Sequence, residues 1–180
     1  MAERAILALR PHTRKQVVLT QDPEVARALD VPGRPDSTPG LGPLGGLLTA
    51  LEWAQELGMH RIFILACDLP LVGPELVGEI LTQWPHGLGA SVPCSVGPLG
   101  FEPLCAAYST EVLPAVRRLA ESSDRAMERL LGEVGAPPLF LEGRTEEELA
   151  VAFTNVNTRD EARRAEELLG FLKHRREARP

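Results

Sequence analysis

The sequence predicts an α/β domain on a mostly parallel sheet. Apolar runs alternate with amphipathic stretches along the chain, which is the rhythm of strands joined by covering helices. One run, Ile62-Phe63-Ile64-Leu65, is unbroken, as a central strand covered on both faces requires. It is cut by Cys67-Asp68-Leu69-Pro70, so a carboxylate falls just past its C-terminal end. At 180 residues with 44% hydrophobic content, the chain has the length of one domain and enough apolar mass for a core.

The elements follow in order. Ala5, Ile6 and Leu9 suggest a first helix, and residues 17–19 a short buried strand. Pro23 to Leu29 reads as a helix with Asp22 as N-cap and Pro23 at its first position. Asp30 to Pro43 is dense in proline and glycine and reads as a loop. Leu44 to Leu57 has helical spacing, with Gly58 as its stop. Arg61 to Ala66 is the central strand and Pro74 to Trp84 the next helix. Ala90 to Pro93 and Pro103 to Tyr108 read as strands, and Thr110 to Glu121 and Arg125 to Leu131 as helices. A short strand over Pro138 to Leu141 and a short helix over Glu146 to Ala150 come next. The last helix starts at Thr158, with Glu161 three residues on completing a capping box. The division is a domain over residues 1–172 and a charged, fraying tail over 173–180.

Composition narrows the function classes. A net charge of −6, few aromatics and scattered arginines argue against a broad nucleic-acid surface, and leave room for a small anionic ligand in one pocket. Cys67, Cys94 and Cys105 show no CxxC spacing, which fits a reducing compartment without structural zinc. No apolar run suits a membrane span and no signal-peptide pattern opens the chain, so the cytoplasm is the expected location. Lysine occurs only at Lys15 and Lys173.

Few residues have the chemistry of a site. Asp68 stands where open α/β sheets bind ligands, and a carboxylate there can hold Mg²⁺ against phosphate oxygens. It serves equally well as a cap ahead of Pro70. Gly40 to Gly46 opens a helix, so its backbone can approach an anion, although glycine-rich turns are common. Asp36, in the same loop, can accept hydrogen bonds from a base or help bind metal, or can be a solvated turn residue. Asn155 and Asn157 flank Val156 and share a face if the segment is extended; paired turn residues are the alternative. His12, His60, His86 and His174 share no motif and read as surface or structural. Cys67 reads as a small buried hydrophobe.

In order, the series is Asp36 in a Pro/Gly loop, Gly42-Pro43-Leu44-Gly45-Gly46 at a helix start, and Cys67 to Pro70 after a buried strand. Pro103 to Tyr108 and Asn155 to Thr158 before the final helix complete it. This series resembles the molybdenum cofactor guanylyltransferases, the molybdopterin-guanine dinucleotide biosynthesis protein A family. The resemblance implies a Rossmann-like three-layer nucleotidyltransferase fold and transfer of GMP from GTP to molybdopterin with Mg²⁺. It implies Asp36 near the guanosine end of GTP, Gly42 to Gly46 along the nucleotide, and Asp68 as catalytic metal and nucleotide ligand. Asn155 and Asn157 fall on the pterin side. GTP and molybdopterin are the implied small-molecule partners, with transient contact to other molybdenum cofactor proteins. A CTP-using or sugar-phosphate nucleotidyltransferase is the nearest competitor, and a non-catalytic pterin or nucleotide binder the rival from another class.

One part of the family pattern has no counterpart here. The family opens with a central strand and a Gly-Gly-x-Ser-x-Arg-Met-Gly-x-Asp-Lys loop around the triphosphate, whereas residues 1–10 match in character the helix that follows it. The expectation is a fold without that first strand and loop, unpaired backbone groups on the strand's neighbours, and impaired turnover. A start codon assigned too late is the favoured origin.

Overall fold

The computed structural model describes residues 1–177 of the chain. In order, α1 spans Ala2–Leu9, β1 Val18–Leu19, α2 Pro23–Leu29, β2 Gly33–Arg34, α3 Pro43–Glu56 and β3 Arg61–Leu65. Next come α4 Pro74–Thr82, β4 Ala90–Ser91 and β5 Cys105–Ser109. A 3-10 turn Thr110–Val112 leads into α5 Leu113–Glu121, then α6 Met127–Glu133, α7 Glu146–Ala152 and α8 Arg159–Glu177. As expected, Asp22 caps α2, its side chain accepting from the Glu24 N–H, with Pro23 in the first turn. Gly58 adopts φ 65° just past α3. Glu161 accepts from the Asn157 and Thr158 N–H groups while its own N–H reaches Thr158 Oγ1, so the expected capping box opens α8.

The sheet is in two pieces. β1 and β2 pair in parallel, Val18 opposite Gly33. β5 lies between β3 and β4 and runs against both, so β3 and β4 point the same way. The side chains of the larger piece divide by parity into two faces. Ile62, Ile64, Ala106 and Tyr108 join α3, α5 and α6 in one core cluster. Phe63, Leu65 and Cys105 join α1, α4 and α7 in the other. The result is a helix–sheet–helix sandwich of three layers, the expected α/β architecture.

Several expectations change. Gly33–Arg34, inside the expected loop, forms a strand, because two residues suffice to pair with β1 where no periodicity can show. Pro138 to Leu141 is reduced to a single bridge from Leu139 to Pro93. α8 continues through Lys173 to Glu177, taking in part of the expected tail, while residues 178–180 lie outside the described residues. Ile62 to Leu65 are only partly buried, although their sequence reads as covered. The reason is lateral: among the described residues β3 has one strand partner, β5, and β1 has one, β2. Each therefore carries an unpaired edge among the described residues.

Candidate functional site

Asp68 sits in the turn that follows β3 and is partly buried. The Ala66 N–H donates to the Leu104 carbonyl, which carries the β3–β5 ladder one step past Leu65. The Leu69 N–H returns to the Ala66 carbonyl at 3.3 Å and folds the turn. Cys67, expected to be buried, is exposed, because the turn swings it off the sheet; the buried thiol is Cys105.

The same register brings in a residue that sequence reasoning missed. Leu65 stands opposite Cys105, and three steps outward along each chain reach Asp68 and Glu102. Burial raises the Glu102 carboxyl above its ordinary range, a Ser95 hydroxyl bond opposes this, and the charge of Asp68 adds to the rise. The backbone holds Glu102 firmly, its N–H on the Pro93 carbonyl at 2.9 Å and its carbonyl accepting from Cys105 N–H at 3.1 Å. The Tyr108 hydroxyl, fully buried, donates to the Pro103 carbonyl at 2.8 Å and fixes the start of β5. The only sequence signal was an acidic residue directly before Pro103, and it meant nothing without the strand pairing.

Asn155 and Asn157 belong to the same place. The Val156 N–H donates to the Asp68 carbonyl at 2.8 Å. Val156 is fully buried with Leu71 and Ala165, whereas Asn155 and Asn157 are exposed on either side of it. This is the alternation expected of an extended piece. Asp68, Glu102 and the two asparagine amides thus sit around one turn at the end of β3.

Asp36 and the glycine-rich turn form a second unit. Gly42 is the N-cap of α3 at φ 58°, a conformation that disfavours side chains. Gly42 and Pro43 are exposed and Gly46 partly so, but Gly45 is buried and Leu44 is 1% exposed in the core. The accessible part of this turn is therefore Gly42, Pro43 and Gly46, while Leu44 and Gly45, expected along the nucleotide, are covered. Asp36 is partly buried, next to Ser37, whose N–H donates to Thr49 Oγ1 of α3 at 2.9 Å. Arg34 holds Glu56 through two hydrogen bonds, one of 2.7 Å, at the base of the loop. α3 packs on β3, and no hydrogen bond or ion pair among the described residues joins this unit to the Asp68 turn.

Asp68 and Glu102 offer a hard cation carboxylate oxygens from one or two residues; no group of three or more His, Cys, Asp or Glu gathers among the described residues. Such a sparse set fits Mg²⁺, which keeps several waters and takes its other oxygens from substrate phosphates. His12, His60 and His86 are exposed and stand outside this set, as expected, and His12 Nε2 bonds the Pro74 carbonyl. The side chain of His174 lies outside the described residues.

The chain is similar to known proteins in sequence and in fold. The model of the MobA-like NTP transferase domain matches residues 1–137. A Flavobacterium johnsoniae protein named "Probable molybdenum cofactor guanylyltransferase" is 31% identical over 88% of this chain and 78% of its own length. A Chloroflexus aggregans protein of the same name is 30% identical over 71% of this chain, which spans 60% of that relative. A crystal structure of molybdopterin-guanine dinucleotide biosynthesis protein A from Archaeoglobus fulgidus superposes with a TM-score of 0.68 at 24% identity. The match takes in 93% of this chain and 85% of that one, and shows the common Rossmann-like fold. With its three layers, its carboxylate past β3 and a family match over most of its length, the chain belongs to the MobA-like NTP transferases, a family of nucleotidyltransferases.

Proposed function

We propose that this chain transfers GMP from GTP to molybdopterin in the presence of Mg²⁺, giving molybdopterin guanine dinucleotide and pyrophosphate. The observation that carries the reading is the 2.8 Å bond from Val156 N–H to the Asp68 carbonyl, which joins a phosphate-side carboxylate to a pair of exposed amides. The two substrates of a transferase need two such neighbouring surfaces. Relatives named for this activity support the choice of substrates.

In this reading a phosphate oxygen of molybdopterin attacks the α-phosphorus of GTP and the bond to pyrophosphate breaks. Asp68 would hold Mg²⁺, with Glu102 beside it. When bound, the ion neutralises charge on the phosphates. Asp36 accepts hydrogen bonds at the guanine end, and the Gly42 to Gly46 backbone borders the nucleotide. Asn155 and Asn157 orient the pterin. Catalysis by such groups is positioning and charge neutralisation. The 180 residues contain no Gly-Gly-x-Ser-x-Arg-Met-Gly-x-Asp-Lys loop, so triphosphate affinity and turnover are expected to be weak. The reading implies a cytoplasmic location, transient contact with other molybdenum cofactor proteins, and one catalytic unit over residues 1–172.

The test is direct. The chain is incubated with molybdopterin, Mg²⁺ and GTP or CTP, and the dinucleotide is separated chromatographically. A guanine product, lost with EDTA, supports the reading. A cytosine product moves the chain to the CTP-using branch, and pterin binding without either product leaves a binding role.

A further inference from the structure

We propose that Thr49 is a positioning residue for the purine end of the nucleotide. Its buried hydroxyl pins the loop carrying Asp36 to the first turn of α3. The inference rests on the guanylyl-transfer reading above.

Thr49 lies in the middle of α3 with no exposed surface, and it and Ser91 are the two buried serine or threonine residues among the described residues. A helical threonine satisfies its donor with the carbonyl one turn back, and Thr49 does so, donating to Gly45 at 2.9 Å. Its oxygen then has two lone pairs left. One accepts the Ser37 N–H at 2.9 Å, and the Ser37 hydroxyl lies 3.2 Å away. A single oxygen thus ties Gly45, in the glycine-rich turn, to the residue directly after Asp36.

The neighbouring contacts show how closely the loop is drawn down. A Cβ on Gly45 would stand 3.1 Å from the Leu41 Cβ and 3.3 Å from the Thr38 carbonyl, so the loop rides on bare backbone there. On the other side of Asp36 the Arg34–Glu56 pair anchors the chain to the far end of the same helix. Asp36 therefore stands between two attachments to α3, one charged and exposed, one neutral and buried. A carboxylate reads the N–H donors of a guanine only when its direction is fixed, and the buried attachment adjoins it in sequence.

Ser37 itself is exposed, so once the loop lifts off Thr49 its N–H can turn to water. Removing the hydroxyl should free the loop without unfolding the domain. That separates a positioning role from a structural one.

The test is an NMR titration of the ¹⁵N-labelled full chain with GTP and with ATP, for wild type, Asp36→Asn, Thr49→Val and Thr49→Ser. Thermal melts check folding. Thr49→Val should weaken GTP about tenfold and leave ATP unchanged, so that the purine preference disappears as it does in Asp36→Asn. Thr49→Ser keeps the oxygen and should restore the preference. If Asp36→Asn loses the preference and Thr49→Val keeps it, the inference falls and the guanylyl reading stands. If wild type shows no preference for GTP, or Asp36→Asn does not change it, the reading of Asp36 falls and takes the inference with it. Should Thr49→Val fail to fold, Thr49→Cys, of similar size and a weak acceptor, carries the same expectation.

Discussion

Asp68 and Glu102 pull in different directions as single residues. Asp68 shares its turn with a chain segment 88 positions away (156 − 68), and its carboxylate is the group the proposed chemistry depends on most. Asp68→Asn removes that charge at constant shape and should lower dinucleotide formation about 100-fold or more, measured by product chromatography. Glu102 responds to pH instead. Its folded-state carboxyl lies above the ordinary value of 4.5, chiefly through burial, so the folded chain binds the proton more tightly than the unfolded chain. Stability from this group is present below the ordinary carboxylate range and is lost as pH rises through the raised value. Glu102→Gln has no such dependence. In metal-free buffer the variant should gain on wild type as pH rises from the ordinary carboxylate range through the raised one, read from denaturant melts, and a constant difference would sink the idea.

At the scale of elements, the start of α8 sets where Asn157 points. Glu161 of the capping box also takes the Asn157 N–H, so the helix start and the segment proposed to hold the pterin are one piece. Thr158→Ala should cost about 1 kcal/mol in a chemical melt and weaken pterin binding more than GTP binding. Local chemistry made most elements legible beforehand. Asp22-Pro23, Thr158 with Glu161, and Gly58 each act within one helical turn, and the structure uses each as read. What depends on distant partners was not legible. β2 is strand only because β1 lies beside it, and Leu139 keeps one bridge, its N–H on the Val92 carbonyl and its own carbonyl accepting from the Cys94 N–H, because two residues earlier Pro137 has no N–H to extend the ladder. Asp68 could be found from its place past an apolar run. Glu102 could not, since its meaning comes from a register between strands some 40 residues apart (105 − 65).

For the molecule as a whole, the divided sheet is the main physical feature. The β3–β5 bonds fall on the even-numbered residues of β3, as the flanking bonds at His60 and Ala66 show, so Arg61, Phe63 and Leu65 direct their backbone groups to the unpaired edge. Such an edge holds a strand from one side only. Amide exchange should therefore alternate along β3, with Ile62 and Ile64 protected and Phe63 and Leu65 fast. Uniform protection would mean that another strand covers this edge in solution. The larger core has no such weakness, since Leu47, Leu51, Val116 and Leu130 are fully buried between α3, α5 and α6.

The bond between Val156 and Asp68 also bears on how the protein is made. The carboxylate turn leaves the ribosome long before the segment that completes it. At about 5–20 residues per second, the 88 residues between them take about 4–18 s to synthesise. For that interval the Asp68 carbonyl has only water to bond, and Leu71 lacks the valine and alanine that later cover it. A nascent chain released before Val156 should carry every acidic residue of the site and still lack the site.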